Sequence, residues 1–502
     1  MKNPRVIFRA DSSLVLGTGH VMRCLALAEE LRKRGYTCSF ACRRLPGDSI
    51  DFISEHGFDV CELPSNYQIK YHWAIDARET MRVVTEKSAD WLVVDNYCLD
   101  KRWHKAIGCG VNLRLVIDDL ANREYECDIL LDQNLGHTKA EYQKLTPNKA
   151  TILVGPKYAL LREEFRQIQP NLRKFDFSEI SGTLLVSLGG IDAHNLTSKI
   201  LIELFSDIPK SLRQVKVILG QNSPWAMNVE KIARKAPILT HIYKGISNMS
   251  EVLLRATVVI GAAGTSVWER ACLGIPTLVV VIAENQKSVA NAIVANGAAK
   301  KLDFTRISSQ IEELMTNSQA LRAMSKTASD LCDGLGVIRL YESMLAVEIK
   351  LRAATMKDSK LVFAWRKNIS RADFYLSDIQ FSFEEHRKWF KAALSDDHRK
   401  LFVATRFGYP VGHVHFHFTS RNIANVGIVL NPHCRGNLMA KPILQMGISK
   451  VRKLGIKEVN AVIHQDNLPS IRLFKRCTFR HHSQKGHFGH FRLSHTTGFP
   501  YA

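Results

Sequence analysis

Short apolar runs alternate with amphipathic segments through the first 166 residues, and this alternation constrains the fold more than any other feature. Runs of this kind, separated by helices, are typical of strands that are buried on both faces of a parallel sheet. We therefore predict a doubly wound α/β domain over residues 1–166. Its predicted strands are Val6–Ala10, Cys38–Cys42, Asp59–Leu63, Trp91–Val94, Leu113–Ile117, Ile129–Leu131 and Thr151–Gly155.

A glycine turn follows the first predicted strand and leads into a helix predicted from Val21 to Arg34. Gly17 and Gly19 allow the backbone to approach a ligand closely, and the N–H groups at the start of the helix suit a phosphate. The turn lacks the third glycine of a dinucleotide fingerprint and the Gly-Lys-Ser/Thr of a P-loop. His20 stands where the helix would meet the ligand, so it can take a proton from water near neutral pH. A packing or capping role for His20 fits the spacing equally well.

Polar residues follow three of the predicted strands directly. They are the clusters that begin at Asp95, Asp118 and Asp132. A single aspartate in such a place is more often a helix cap or a turn residue than a ligand contact. Three clusters at comparable positions favour a site, because the carboxyl ends of parallel strands line the ligand crevice of an open α/β sheet.

A second α/β pattern over residues 181–348 repeats the strand and glycine-turn arrangement, after a polar stretch over residues 167–180 that we interpret as a linker. Its first strand begins at Thr183, and three more are predicted over Gln214–Leu219, Thr257–Ile260 and Thr277–Ile282. Two facing domains of this type predict a ligand cleft between them.

Small residues at 264–266 precede a short predicted helix of the second domain and form another helix start that suits an anion. Glu269 lies one turn into that helix, where a carboxylate can hold the two hydroxyls of a ribose. Its alternative role is to complement the helix dipole.

Length and composition predict a three-domain protein of 502 residues without a membrane span, since no run of eighteen apolar residues occurs. The eleven cysteines are scattered, which fits reduced thiols in the cytoplasm. The net charge of +21 is concentrated at the C-terminal end, because residues 351–502 hold 25 Lys and Arg against 9 Asp and Glu. Nucleic acid, an acidic membrane surface and coenzyme A would each suit this charge. The charges are interspersed, so we expect neither nucleic acid nor membrane as a partner.

Four separated motifs resemble one nucleotide-sugar family. They read Gly-Thr-Gly-His-Val-Met-Arg at residues 17–23, Ala-Gly-Thr-Ser-Val-Trp-Glu-Arg at 263–270, Gly-Ile-Pro at 274–276 and Ala-Glu-Asn-Gln at 283–286. Over about residues 4–345 the chain resembles the UDP-2,4-diacetamido-2,4,6-trideoxy-β-L-altropyranose hydrolases of pseudaminic acid synthesis. These enzymes are GT-B relatives of the undecaprenyl-linked N-acetylglucosaminyltransferase. Glu284 is a local departure from the aspartate expected there.

The resemblance implies that His20 is the base that activates water at the anomeric carbon, and that UDP lies on the second domain. The UDP contacts that it implies are Gly189, Gly190, Gly264, Thr265, Ser266 and Glu269, with Asn285 as a sugar contact and Asp11 and Arg23 as further substrate contacts. To these we add Gly17 and Gly19 from the first turn, and Asp95 and Asp118 from the crevice, as substrate-binding candidates.

From about Leu351 the pattern changes to antiparallel strands, predicted over Lys400–Arg406, Pro410–Phe418 and Ile423–Leu430. A turn at residues 431–440, a helix over Lys441–Lys453 and a strand over Val459–His464 follow, and then a helix led by Asn467. This order resembles the GCN5-related N-acetyltransferases. The Phe-Ala-Trp-Arg run at 363–366 and the Glu-Glu-His-x-x-Trp-Phe run at 384–390 resemble the 4-amino-sugar acetyltransferases of the same pathway.

This second resemblance implies acetyl-CoA as co-substrate and an amino-sugar acceptor. Acetyl-CoA would contact Arg435, Gly436, Asn437 and Asn467, and the acceptor sugar would contact Trp365, His386 and Trp389. Three positions depart from the family pattern: Leu438 replaces a glycine of the turn, Phe474 replaces a tyrosine that protonates the leaving thiolate, and Thr478 replaces the glycine before Phe479. A module without turnover is therefore an alternative.

Twelve of the nineteen histidines also lie in this last third of the chain. His413, His415 and His417 share one face of a predicted strand. Since no carboxylate or cysteine accompanies them nearby, we expect no metal site.

Together these patterns predict two Rossmann-like GT-B domains, 1–166 and 181–348, followed by an α+β GCN5-related N-acetyltransferase domain, 351–502. The predicted function is hydrolysis of the UDP-sugar to UDP and free sugar, with N-acetylation of the 4-amino group of its precursor. The alternative is a UDP-sugar glycosyltransferase that carries a non-catalytic module resembling an acyl-CoA-binding domain.

Overall fold

The computed structural model describes residues 3–64, 72–168, 181–221, 223–246, 248–368 and 382–494. Most of the predicted linker at 167–180 lies outside these ranges. The chain forms two compact units, Lys2–Tyr341 and Glu342–Ala502.

The first unit contains two parallel sheets. The seven strands of the first sheet have the order β3-β2-β1-β4-β5-β6-β7. They are β1 (Arg5–Ala10), β2 (Thr37–Arg43), β3 (Asp59–Leu63), β4 (Trp91–Asp95), β5 (Leu113–Ile117), β6 (Ile129–Asp132) and β7 (Thr151–Val154). The helices that accompany them are α1 (Gly19–Lys33), α2 (Ile50–Glu55), α3 (Trp73–Glu86), α4 (Lys101–Ile107), α5 (Lys139–Gln143) and α6 (Glu163–Gln167). All seven predicted strands are confirmed within one or two residues.

The second sheet has six strands in the order β10-β9-β8-β11-β12-β13. They are β8 (Thr183–Ser187), β9 (Gln214–Leu219), β10 (Leu239–Lys244), β11 (Val258–Ala262), β12 (Thr277–Val280) and β13 (Lys300–Lys301). The helices are α7 (Leu196–Ser206), α8 (Ala226–Arg234), α9 (Met249–Leu254), α10 (Ser266–Cys272), α11 (Lys287–Ala295), α12 (Ile307–Met315), α13 (Ser318–Leu331) and α14 (Gly336–Glu348). Strands β10 and β13 were not predicted, because they lie at the two edges of the sheet and are not continuously apolar.

The second unit contains a mixed sheet with the order β14-β15-β16-β17-β18-β20-β19. Its strands are β14 (Ile349–Ala353), β15 (Arg399–Arg406), β16 (Tyr409–Phe418), β17 (Ile423–Leu430), β18 (Glu458–His464), β19 (Arg480–Lys485) and β20 (Phe488–Leu493). Its helices are α15 (Ser359–Lys367), α16 (Phe383–Ser395), α17 (Ala440–Arg452) and α18 (Leu468–Arg476). Neighbouring strands are antiparallel except β17 and β18, which pair in parallel. The fold class of two Rossmann-like sheets and one mixed α+β sheet is confirmed.

A buried ionic cluster ties α3 to the first sheet. Arg9 on β1 is fully buried, and its guanidinium pairs with Asp76 of α3 at 2.6 Å and with Asp11 at 2.7 Å. Arg43 also pairs with Asp76, at 2.7 Å, and Trp103 Nε1 donates to the same carboxylate at 2.9 Å. Burial opposes ionisation of Asp76, but the two arginines outweigh it and hold the pKa of this carboxyl well below its usual range.

We predict that Asp76→Asn lowers the free energy of unfolding by about 3 kcal/mol, because it leaves buried charge incompletely paired. The pKa of Asp76 is lowered in the folded state, so its stabilisation is complete above its ordinary pKa of about 4 and is lost as the pH falls below it. Acid should therefore destabilise the variant less steeply than the wild type in denaturant unfolding. Asp51→Asn is the control, since the side chain of Asp51 is 84% exposed in its ion pair with Arg44. An equal effect of both substitutions would contradict this account.

Candidate active site

The predicted catalytic histidine lies at the point where the strand order of the first sheet reverses. Strands β1 and β4 are neighbours there, and their carboxyl ends open a crevice. His20 is the second residue of α1, which follows β1, and Asp95 is the last residue of β4. The turn before α1 passes through Gly17 with a φ of +74°, a conformation that favours glycine.

The contacts of Asp95 define the geometry of this site. Asp95 Oδ1 accepts a hydrogen bond from His20 Nδ1 at 2.6 Å. Arg23, one turn further along α1, donates to Asp95 Oδ2 through Nε at 2.6 Å and to Oδ1 through Nη2 at 2.7 Å. Burial of Asp95 opposes ionisation, yet Arg23 and His20 outweigh it and lower the pKa of this carboxyl well below its usual range. Asp95 is therefore a carboxylate that holds the imidazole.

This arrangement leaves the second ring nitrogen of His20 available for chemistry. Since Nδ1 donates its proton to Asp95, Nε2 carries the lone pair. No hydrogen bond to Nε2 occurs within the described ranges, and the side chain of His20 is 9% exposed. The ring of Tyr97 meets the imidazole edge-on, with ring centroids 4.6 Å apart. The imidazole is thus oriented as a general base would be.

Turns that follow strands of the second sheet lie against this crevice. A Cβ on Gly19 would come within 3.1 Å of Thr265 Oγ1, and a Cβ on Gly190 within 3.2 Å of Thr18 Oγ1. Asn285, in the turn after β12, donates through Nδ2 to the hydroxyl of Tyr97 at 3.0 Å. Both sheets therefore contribute to one cleft, and the glycines permit the close approach.

A chain of polar contacts crosses the cleft from α10 to α1. Trp268 Nε1 donates to Asn134 Oδ1 at 2.7 Å, and Asn134 Nδ2 donates to Asp119 Oδ2 at 3.4 Å. Arg23 Nη1 donates to the same oxygen of Asp119 at 3.1 Å. The contacts of Asp119, Asn134 and Trp268 were not predicted from the sequence. The clusters after β5 and β6 were the available signal, but spacing alone does not show which member faces the cleft.

Asp11 and Asp118 were predicted as substrate contacts, and the structure favours supporting roles for them. Asp11 is buried, and its Oδ1 accepts from Arg9 and from the backbone N–H of Arg43. Asp118 is also buried, and its Oδ2 accepts from two backbone N–H groups of its own loop and from the hydroxyl of Tyr142. These carboxylates hold the loops after β1 and β5.

The predicted UDP contacts lie on the carboxyl side of the second sheet. Gly189, with a φ of +88°, and Gly190 follow β8, and Gly264, Thr265 and Ser266 join β11 to α10. Glu269 lies one turn into α10 with a side chain that is 18% exposed, and Arg162 pairs with it at 3.4 Å. These residues share the cleft with His20.

In the second unit, the turn predicted to hold acetyl-CoA precedes α17. Arg435 donates to the backbone carbonyl groups of Asn368, at 3.2 Å, and Trp365, at 3.4 Å. Gly436 has a φ of +80°, and Asn437 follows it in the turn. Asn467 caps α18 by accepting from the backbone N–H of Ser470 at 3.2 Å.

Leu438 and Thr478, which stand where the sequence pattern predicts glycines, both have a positive φ. Their φ angles are +58° and +64°, in the left-handed region that L-residues rarely adopt. Phe474 is buried and packs edge-on against Phe479, with ring centroids 4.9 Å apart. Two of the three departures seen in the sequence, Leu438 and Thr478, thus lie at backbone positions that favour glycine, and the third, Phe474, places an apolar ring in the core.

The predicted acceptor residues lie on α15 and α16. The rings of His386 and Trp389 are 5.6 Å apart, and His386 Nε2 donates to the carbonyl of Ser359 at 3.1 Å. Burial and the charge of Arg366 lower the pKa of His386. The hydrogen bond of its ring to Ser359 joins the two helices. Trp365 is buried, and the guanidinium of Arg366 lies 5.1 Å from the ring centroid of Trp389.

Two of the three histidines of β16, His413 and His415, have stacked rings. The ring centroids of His413 and His415 are 5.4 Å apart, and burial lowers the pKa of His415 to about 4. Within the described ranges no group of three or more His, Cys, Asp or Glu side chains could hold a metal ion. The same ranges contain no helix that is long and apolar enough to cross a membrane.

Two protein families match the chain. Residues 183–334 match the glycosyltransferase family 28 C-terminal domain, and residues 348–480 match the acetyltransferase (GNAT) domain. The chain thus joins a part that is similar to the glycosyltransferase family 28 C-terminal domain to a part that is similar to the GNAT domain, and both resemblances found in the sequence are confirmed.

Three individual proteins illustrate what the chain is similar to. An uncharacterized protein of Methanocaldococcus jannaschii is 24% identical over 497 residues, which cover 95% of this chain and 96% of that protein. The UDP-2,4-diacetamido-2,4,6-trideoxy-beta-L-altropyranose hydrolase of Campylobacter jejuni is 28% identical over 297 residues, which cover 58% of this chain and 97% of that enzyme. A crystal structure of the N-acetyltransferase PseH of Campylobacter jejuni is 18% identical, covers 30% of this chain and 99% of that chain, and gives a TM-score of 0.25.

We predict that Asp95→Asn lowers the rate of sugar-nucleotide turnover by about a hundredfold to ten-thousandfold, because the amide no longer fixes the tautomer of His20. UDP affinity should change little, since the predicted UDP contacts lie on the second sheet. Asp128→Asn is the control, because Asp128 accepts from the backbone N–H of Arg114 at the amino ends of β5 and β6, away from the site. Steady-state rates and calorimetry would check this, and a folded variant with normal turnover would contradict the role given to Asp95.

We also predict that Leu438→Gly strengthens acetyl-CoA binding about fivefold to tenfold, because glycine relieves the strained φ and opens the turn to the pyrophosphate. Thr478→Gly is the matched control, since it relieves a similar φ outside the turn. It should leave the affinity unchanged. Calorimetry with acetyl-CoA distinguishes the two variants, and equal affinities for both would contradict the turn assignment.

Proposed function

We propose that the first unit hydrolyses a UDP-linked 2,4-diacetamido-2,4,6-trideoxy sugar to UDP and the free sugar. The observation that carries this proposal is the hydrogen bond of 2.6 Å between His20 Nδ1 and Asp95, which turns the opposite nitrogen of His20 into a fixed base. The likeness to the Campylobacter jejuni hydrolase, along 97% of that enzyme, supports the choice of substrate.

In the proposed reaction, His20 Nε2 takes a proton from a water molecule whose oxygen attacks the anomeric carbon. The bond between that carbon and the oxygen of the β-phosphate breaks, and its electron pair leaves with UDP. Asp95 stabilises the imidazolium that forms, as a carboxylate does behind a catalytic histidine. Backbone N–H groups of the turn at Gly264–Ser266 would stabilise the departing diphosphate.

The nucleotide would be held on the second sheet. Glu269 would accept hydrogen bonds from the two ribose hydroxyls in place of its contact with Arg162. Asn285 would contact the sugar, and its bond to the Tyr97 hydroxyl places it beside the ring that packs on His20. The sugar would then lie between the base and the nucleotide turns.

We further propose that the second unit transfers an acetyl group from acetyl-CoA to the 4-amino group of the UDP-sugar precursor. The GNAT match over residues 348–480 supports this activity. The backbone of the turn at Arg435–Leu438 and the cap of α18 at Asn467 would hold acetyl-CoA. Because Phe474 has no hydroxyl, water would protonate the leaving thiolate.

The two activities would act in sequence. The acetylated sugar nucleotide is the substrate of the hydrolase, so fusion raises its local concentration.

The second candidate function is a UDP-sugar glycosyltransferase with an acyl-CoA-binding module. The glycosyltransferase family match over residues 183–334 favours it.

We predict that His20→Asn lowers the rate of UDP release by about a hundredfold to ten-thousandfold while UDP affinity stays nearly unchanged. His56→Asn, an exposed substitution in the same part of the chain, should retain full activity.

Purified protein with the UDP-sugar, without an acceptor, provides the assay. Acceptor-independent hydrolysis at the wild-type rate by His20→Asn would refute the base assignment. If the wild type releases UDP only after an acceptor is added, the result would instead support the glycosyltransferase.

A further inference from the structure

Arg270 is a buried cation that lacks a carboxylate partner of its own. It lies on α10 and is 2% exposed. Its Nη2 donates to the carbonyl oxygen of Ala262 at 2.6 Å, and its Nη1 donates to Ser266 Oγ at 3.0 Å. Its Nε is buried without a hydrogen-bond partner. The neighbouring carboxylate, Glu269, is within 3.4 Å of Arg162, and no acidic side chain in the described ranges lies within ion-pair distance of Arg270.

A buried charge without a counter-ion is costly, and proteins rarely keep one without a use for it. Burial lowers the pKa of Arg270 to about 10, which shows how poorly the surroundings support the charge. A carbonyl oxygen and a hydroxyl satisfy two of its five N–H donors but contribute no negative charge. The site therefore favours an anion close to this guanidinium.

The position of Arg270 identifies where that anion would lie. The guanidinium joins Ala262, at the end of β11, to Ser266, at the start of α10, and so spans the turn of residues 263–265. It lies against Gly261, where a Cβ would come within 2.5 Å of its central carbon. The same turn reaches the cleft at Thr265, which faces Gly19.

We infer that Arg270 is the fixed positive charge that makes this site selective for a nucleoside diphosphate. This inference rests on the proposed function, which places the diphosphate at the turn. Arg270 acts as a positioning residue, because it holds the hydroxyl of Ser266 toward the turn of residues 263–265. Its positive charge adds to the partial charges of the backbone N–H groups of that turn. A neutral side chain in its place would leave nucleoside recognition intact and weaken recognition of the diphosphate.

Calorimetry of the full chain with UDP, UMP, uridine and inorganic pyrophosphate tests this inference. Arg270→Met should weaken the binding of UDP and pyrophosphate about tenfold to a hundredfold and leave uridine binding, measured by competition, unchanged. Arg270→Lys keeps the charge and should lose less. Arg306→Met is the control, because Arg306 is an exposed partner of Glu313.

Each outcome decides one point. A parallel loss of UDP and uridine binding would show that Arg270 only braces α10, and an unchanged UDP affinity in folded Arg270→Met would equally overturn the inference. If Arg270→Met does not fold, the ratio of UDP to uridine affinity in the neutral variant Arg270→Gln and the competition of pyrophosphate with UDP in the wild type decide; an unchanged ratio in Arg270→Gln or no competition overturns it. A wild-type protein that does not bind UDP would instead overturn the proposed function.

Discussion

The buried carboxylate of Asp95 is the interaction on which the candidate site depends. It receives His20 and Arg23 from one face of α1 and so fixes that helix to the end of β4. Because Arg23 also reaches Asp119, the same cluster connects to the polar contacts that lead across the cleft to Trp268. One ionised group thus orients the imidazole of His20 and fixes the first turns of α1, and through Arg23 it is connected to the contacts with the second sheet.

Much of this architecture could be predicted from local sequence. Strands buried on both faces are continuous apolar runs, so strands such as β1 and β4 were readable from their composition, and glycine turns before helices marked His20 and Gly264. The exposed strand β19 was not readable, because no residue from Arg480 to Lys485 is buried. Local sequence patterns show where buried strands and glycine turns lie. They do not reveal exposed strands, because such strands need no apolar side chains.

The site was predicted less completely, for a physical reason. Asp95 was assigned to substrate, yet its partners are 75 and 72 positions away in sequence, and Trp268 and Asn134 are 134 positions apart. Such pairings depend on how the sheets are assembled, which spacing does not report. In the second unit the departures at Leu438 and Thr478 were visible in sequence, but only the backbone shows that both retain a left-handed φ. Non-glycine residues in this conformation strain the backbone.

The central claim is that water, activated by His20, attacks the anomeric carbon of a UDP-sugar. Hydrolysis in ¹⁸O-labelled water, followed by mass spectrometry of both products, tests it most directly. The account predicts that the label enters the hydroxyl at the anomeric carbon of the free sugar and that UDP contains none. Label in the phosphate of UDP would contradict it, because water would then have attacked phosphorus.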